Sequence, residues 1–142
     1  GEVETKAEYT TDNSVTWGVI IGNISGNVKY DVARNKWGGT WRLPSKEELI
    51  ELAEECKWEV VTQNGVKGYK VTGPNSNKLF LPFAGYRYGE NLYNEENFGY
   101  LWCSNPYENN KDYSYSIEFN NNERKVLWDN RYDGQSVRPV TK

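Results

Sequence analysis

Leu49, Leu52, Ala53 and Cys56 recur at spacings of three and four, the period of an α-helix that lays one apolar stripe on a core. Glu47, Glu51, Glu54 and Glu55 fall on the opposite side, where they read as a solvated acidic face. Ser45 and Glu48 stand at capping-box spacing, and Pro44 drives Leu43 out of helical geometry, so the helix is expected to begin at Lys46. A shorter helix is expected over Val32 to Trp37, capped by the Asp31 carboxylate and stopped by Gly38-Gly39.

Beyond residue 57 the period falls to two, the alternation of a strand with one face buried. Trp58 to Val61 and Tyr69 to Thr72 flank a Gln63-Asn64-Gly65 turn, and Lys78 to Leu81 follows Gly73-Pro74-Asn75. Tyr100 to Trp102, Tyr115 to Phe119, Lys125 to Trp128 and Ser136 to Val140 read as four more strands. Upstream, short edge or pairing strands are expected, notably Val15 to Ile21 between polar turns. Alternation turns Tyr115, Ile117, Phe119 and Val126 inward and leaves Ser116, Glu118, Lys125 and Leu127 outward, with Leu127 forming an exposed apolar spot beside Trp128. Two early helices feeding antiparallel strands define an α+β domain, with Trp41, Leu43, Leu49, Leu52, Tyr69, Val71, Leu81 and Val137 expected in its core.

The length of 142 residues suits one domain, divided here into N-terminal strands (1–29), a framework with both helices (30–85) and a recognition half (86–142). A net charge of -3 with scattered Lys and Arg argues against nucleic acid as a partner. No apolar run is long enough to span a bilayer, so membrane attachment is expected only through a lipid anchor ahead of Gly1-Glu2. Histidine is absent, which removes the commonest general base and metal ligand; no cofactor and no metal are expected. Cys56 on the helix stripe reads as a small hydrophobe, and for Cys103 an unpaired thiol is preferred to a bridge with it.

The segment from Tyr86 to Asp133 holds ten of the seventeen asparagines and eight of the eleven tyrosines. Tyr and Trp supply rigid amphipathic contact area, while Asn and Ser supply adaptable hydrogen bonds, the mixture that binding loops favour. The candidate ligand-binding residues are therefore Tyr88, Tyr93, Phe98, Tyr100, Tyr107, Ser116, Glu118, Lys125, Leu127, Trp128, Asp129, Tyr132 and Asp133, expected on one contiguous face. They flank anchors such as Gly85-Tyr86-Arg87, Gly99, Phe119, Arg131 and Gly134-Gln135-Ser136.

Four strings in order carry a family resemblance: Trp37 to Ser45, Thr62 to Gly73, Leu81 to Arg87, and Gly134 to Val140. Together they resemble the Fibrobacter succinogenes major paralogous domain over roughly residues 30 to 140, and Arg42-Leu43-Pro44-Ser45 is similar to a helix start of formylglycine-generating enzymes. The resemblance implies a C-type lectin-like fold with two short helices packed on antiparallel strands. It also implies a variable protein of a diversity-generating retroelement, in which positions between fixed anchors change. Such a domain is expected outside the cell, on a cell surface of a gut bacterium, or on a phage particle, bound to a protein ligand. A glycan ligand is the alternative, though the calcium-binding run of sugar-binding lectins has no counterpart beyond Asn105-Pro106 and Gly73-Pro74-Asn75. An enzyme of the formylglycine-generating type comes third, because Cys103 lacks a histidine or a neighbouring thiol, and the chain is expected not to be an enzyme.

Overall fold

The computed structural model describes residues 3–141, so Gly1 and Glu2, read above as the point behind which an anchor would lie, fall outside the described residues. Two helices, α1 (Val32–Trp37) and α2 (Lys46–Glu55), precede eight strands: β1 (Lys57–Gln63), β2 (Val66–Thr72), β3 (Lys78–Pro82), β4 (Tyr86–Tyr88), β5 (Asn91–Tyr93), β6 (Phe98–Pro106), β7 (Tyr113–Asn120) and β8 (Arg124–Asn130). The strands form antiparallel sheets in the orders β1-β2-β3, β4-β5 and β6-β7-β8, an α+β arrangement. Among the described residues no helix is long and apolar enough to cross a membrane.

Both helices start and stop where local chemistry dictates. Ser45 Oγ accepts from Glu48 N while the Glu48 carboxylate accepts from Ser45 N, closing the capping box. Glu48 also takes both Arg42 guanidinium nitrogens, at 2.6 and 3.2 Å, and that pairing lowers its carboxyl. The chain leaves α1 through Gly38 and Gly39, both at positive φ (66° and 55°), a region that strains residues bearing a Cβ.

Asp31 does more than cap α1. Wholly buried, its carboxylate accepts from Ala33 N (3.0 Å) and Arg34 N (3.3 Å), from Gly26 N (2.8 Å), and from Leu43 N through both oxygens (3.2 and 3.0 Å). One side chain thus ties the N-terminal segment, α1 and the approach to α2 together.

The core lies between α2, the β1-β3 sheet and one face of the β6-β8 sheet. Leu49, Tyr69, Val71, Leu81, Phe83, Leu101, Cys103, Tyr115, Ile117 and Phe119 fill it, with Leu52, Cys56, Trp58, Tyr107 and Val126 packed around them. Of the residues expected inside, Leu43, Leu49, Tyr69, Val71 and Leu81 are buried, whereas Trp41, Leu52 and Val137 are only half-buried. Trp41 instead meets Trp37 edge-on at 4.9 Å on the surface. Gly99 fits because the Phe119 ring lies over it, with a Cβ there falling 2.0 Å from that ring. Both cysteines are free.

Two strand expectations fail. Val15 to Ile21 forms turns, because Gly18 takes a positive φ of 72° and the Arg131 guanidinium claims the Thr16 and Val19 carbonyls (3.0 and 2.7 Å) that a ladder would use. Ser136 to Val140 makes only single bridges, Leu101↔Ser136 and Arg42↔Val140, in a stretch where Pro139 has no N–H to donate. Conversely, the β4-β5 hairpin had no expected counterpart, since strands of three residues leave too little alternation to read.

Candidate functional site

The β6-β8 sheet has two unlike faces. Pairing of Leu101 with Ile117 and of Ile117 with Val126 sets the inner face on the core. By the same register Phe98, Tyr100 and Trp102 share the outer face with Ser116 and Glu118, and with Lys125, Leu127 and Asp129 on β8. The β4-β5 hairpin borders that outer face through Tyr86, which meets Tyr100 at 5.2 Å. Gly85 (φ 67°) admits the hairpin: its N–H donates to Phe98 O at 2.9 Å, and a Cβ there would lie 2.1 Å from Tyr93 O. Bridges Arg87↔Gly134 and Tyr9↔Gly89 clamp its other side.

This clamp strings seven aromatic rings together. Trp17 meets Tyr132 (6.3 Å between centroids), Tyr132 meets Tyr88 (5.6 Å), and Tyr88 meets Tyr93 (6.4 Å). Tyr93 stacks on Tyr86 (5.5 Å), Tyr86 meets Tyr100 edge-on, and Tyr100 stacks on Phe98 (6.1 Å). Trp17, Tyr88 and Tyr93 are 37%, 48% and 39% exposed, which is unusual for large aromatics already in contact with one another. Tyr100 anchors the string from below, 6% exposed, its hydroxyl accepting from Asn94 Nδ2 at 3.0 Å and pushed up to about 12 by burial. Burial also raises Tyr86 and Tyr132, so these phenols remain hydrogen-bond donors at neutral pH.

Three carboxylates lie beside the rings. Asp129 Oδ2 accepts from Ser116 Oγ (2.7 Å) and Gln135 Nε2 (2.8 Å). Burial, with a contribution from Asp129, pushes Asp133 up to about 7, and the same two causes raise Glu118. An unfolded Asp titrates near 3.9, so between about pH 4 and pH 7 the folded chain holds a proton that the unfolded chain has lost, and stability falls as pH rises through that window. Glu48, with its lowered carboxyl, acts only in the acid range below it. The expected outcome is a melting temperature that declines from pH 5 to pH 7.5 and a flatter profile in Asp133→Asn. A native profile rising over that interval would contradict the assignment.

The thirteen candidate residues do not all share this face. Tyr88, Tyr93, Phe98, Tyr100, Tyr132 and Asp133 join the string and its border, while Ser116, Glu118, Lys125, Leu127 and Asp129 pave the sheet beside it. Trp128 pairs with Tyr115 in register and so lies on the opposite face, where Tyr107 stacks flat against it at 4.6 Å; neither belongs to the string. Leu127 and Trp128, adjacent in sequence, therefore point to opposite faces and make no joint apolar spot, and Leu127 is half-buried. Ser116 is wholly buried and Tyr100 nearly so, correcting their outward reading: alternation put Ser116 on the far face from the core, but Asp129 and Gln135 cover it there.

Two rings of the string lie outside the thirteen candidates: Tyr86, among the expected anchors, and Trp17, inside an expected strand; Ser14 and Gly18 beside Trp17 are the sequence sign of a turn that presents it. Among the described residues no group of three or more acidic, Cys or His side chains is arranged to hold a metal ion. The fold and site define an α+β domain that presents a continuous aromatic string bordered by carboxylates. No protein-family model, curated protein or solved structure matches the chain.

Proposed function

We propose that the chain is a ligand-binding domain with a C-type lectin-like scaffold, that the aromatic string is its recognition surface, and that this surface is of the kind diversity-generating retroelements vary. The observation that carries the reading is the string itself: seven rings in contact, three of them over a third exposed, supplied by four separate stretches of chain. Isolated surface aromatics are ordinary; a contiguous set is the composition of a binding hot spot. The distribution of constraint supports variability as well. Gly85, Gly99 and Gly134 sit where a Cβ would meet another atom within 3 Å, and Arg131 is buried with three carbonyl partners, whereas Tyr88 and Tyr93 end in solvent. The partner on this reading is a protein met outside the cell, at a cell surface or on a phage particle, and binding needs no cofactor.

Catalysis by Cys103 has little to recommend it. The thiol is 4% exposed, donates to Tyr115 O at 3.2 Å, and is pushed up to about 11 by burial, so about one molecule in a thousand carries the thiolate at pH 8.

Paired display libraries test the proposal. One randomises Trp17, Tyr88, Tyr93 and Tyr132; the control randomises Val28, Trp37, Val60 and Val66, which are exposed but lie outside the string. Selection against lysozyme and streptavidin is expected to yield folded, target-specific binders from the first library only. Equal yields from both, or collapse of folding throughout the first, would overturn it.

A further inference from the structure

A cavity of about 460 Å³ opens on the other end of the outer sheet face, between β6-β7, the N-terminal segment and α1. Its walls are largely apolar, with Ile24, Val32, Leu43 and Trp102 among them. The cavity exists because β6 breaks register with β7 between Trp102 and Pro106: there Ser104 N turns away to Pro44 O and Ser104 O accepts from Ile24 N, so that both backbone groups of Ser104 bond outside the β6-β7 ladder and tie the N-terminal segment to β6.

Two polar atoms at this site have no partner. Ser104 is 1% exposed, and its hydroxyl makes no hydrogen bond; the same holds for the buried Gln135 Oε1, although Gln135 Nε2 is spent on Asp129. Both residues line the cavity, and both atoms are shielded from water, so a small side-chain turn is what brings them to a ligand. Buried polar groups without partners are rare in folded proteins and mark places where a partner arrives. The shortage also specifies that partner. Gln135 Oε1 accepts only, so it calls for an O–H or N–H donor, while the Ser104 hydroxyl can give or take, and a staggered turn about its χ1 redirects it.

We propose that this cavity is a second, small-molecule site, which takes a neutral ligand with an apolar ring-sized body ending in a hydroxyl or primary amide that reaches Ser104 and Gln135. The size is that of ordinary ligand pockets, and a few convergent polar groups in an apolar wall are their usual make-up. A neutral end group follows from the charges lining the cavity: Glu4 and Lys36 pair with each other, Arg131 is occupied by the Thr16, Val19 and Tyr113 carbonyls, and the Asp133 carboxyl disfavours an anion. The site is independent of the aromatic string, although Asp133 borders both.

The test uses the 15N-labelled chain titrated with benzyl alcohol, 2-naphthalenemethanol and 9-fluorenemethanol, each beside its hydrocarbon counterpart lacking the hydroxyl. Expected are shifts at the Trp102 indole N–H, the Gln135 side-chain amide and the Ser104 backbone, with at least one alcohol binding about tenfold more tightly than its counterpart. Ser104→Ala removes a hydroxyl that has no partner, so it is expected to fold normally and to lose most of that preference. Equal binding of alcohol and hydrocarbon, no shift at those residues with any of the six compounds, or shifts confined to Tyr88, Tyr93 and Tyr132 would overturn the proposal; the last result would leave the string intact as a binding surface.

Discussion

Replacing Asp31 by Asn is expected to cost this domain about 2–4 kcal/mol of stability, a large part of what a typical domain possesses. The change is nearly isosteric, so packing does not account for the loss. The two carboxylate oxygens accept from four backbone N–H groups, those of Gly26, Ala33, Arg34 and Leu43, and the side chain is wholly buried. An amide offers one acceptor and turns an NH₂ toward N–H groups that already donate. With the amide oxygen in the Oδ1 position Gly26 N is stranded, and with it in the Oδ2 position Ala33 N and Arg34 N are; each donor left buried and unpaired costs about 1–3 kcal/mol, and the NH₂ turned toward it adds to that. Urea unfolding of the variant checks this, with Asp12→Asn on the exposed surface as the neutral control. A loss under about 1 kcal/mol would show that Asp31 is not the tie the geometry makes it.

Local chemistry of this kind was legible in the sequence. Asp31 before an apolar run, Gly38-Gly39 after it, and Ser45 with Glu48 each act within a turn or two, and the helices begin and end there. Asn64-Gly65 likewise takes positive φ at both residues (50° and 80°), the conformation a two-residue hairpin turn demands. Hidden from the sequence was anything decided across the chain. Alternation correctly separated Ser116 from Ile117, but whether the second face meets water depends on Asp129 and Gln135 arriving from elsewhere. Leu127 and Trp128 look like one patch until strand parity divides them. Trp17 joins Tyr132 only because Arg131 reaches 112 residues back to the Val19 carbonyl. Composition singled out residues 86–133 as rich in Tyr and Asn; it did not show which tyrosines form the string.

The strongest effect on recognition is expected from the triple variant Tyr88→Ser, Tyr93→Ser, Tyr132→Ser. Each ring lies in the middle of the string rather than at its rim, and removal of a central aromatic commonly costs about 2 kcal/mol of binding or more. Three together predict a loss well beyond 100-fold, because 1.4 kcal/mol is about tenfold. Stability is expected to fall as well, but with the chain still folded. Tyr88 and Tyr93 are already 48% and 39% exposed, and ring-to-ring contacts contribute only about 0.5–1.5 kcal/mol each. Tyr100→Ala behaves oppositely, because that ring is buried under the hairpin: about 3–5 kcal/mol of stability is lost first.

The most direct measurement is therefore to probe an array of extracellular proteins and an array of glycans side by side with the native chain, the triple variant and Trp128→Ser, each first shown to be folded by its melting temperature. Specific binding by the native chain to proteins, retained in Trp128→Ser and abolished in a triple variant that is still folded, is the result expected of a recognition surface built on the string. Binding that survives loss of Tyr88, Tyr93 and Tyr132, or that follows Trp128 on the opposite face, would contradict it.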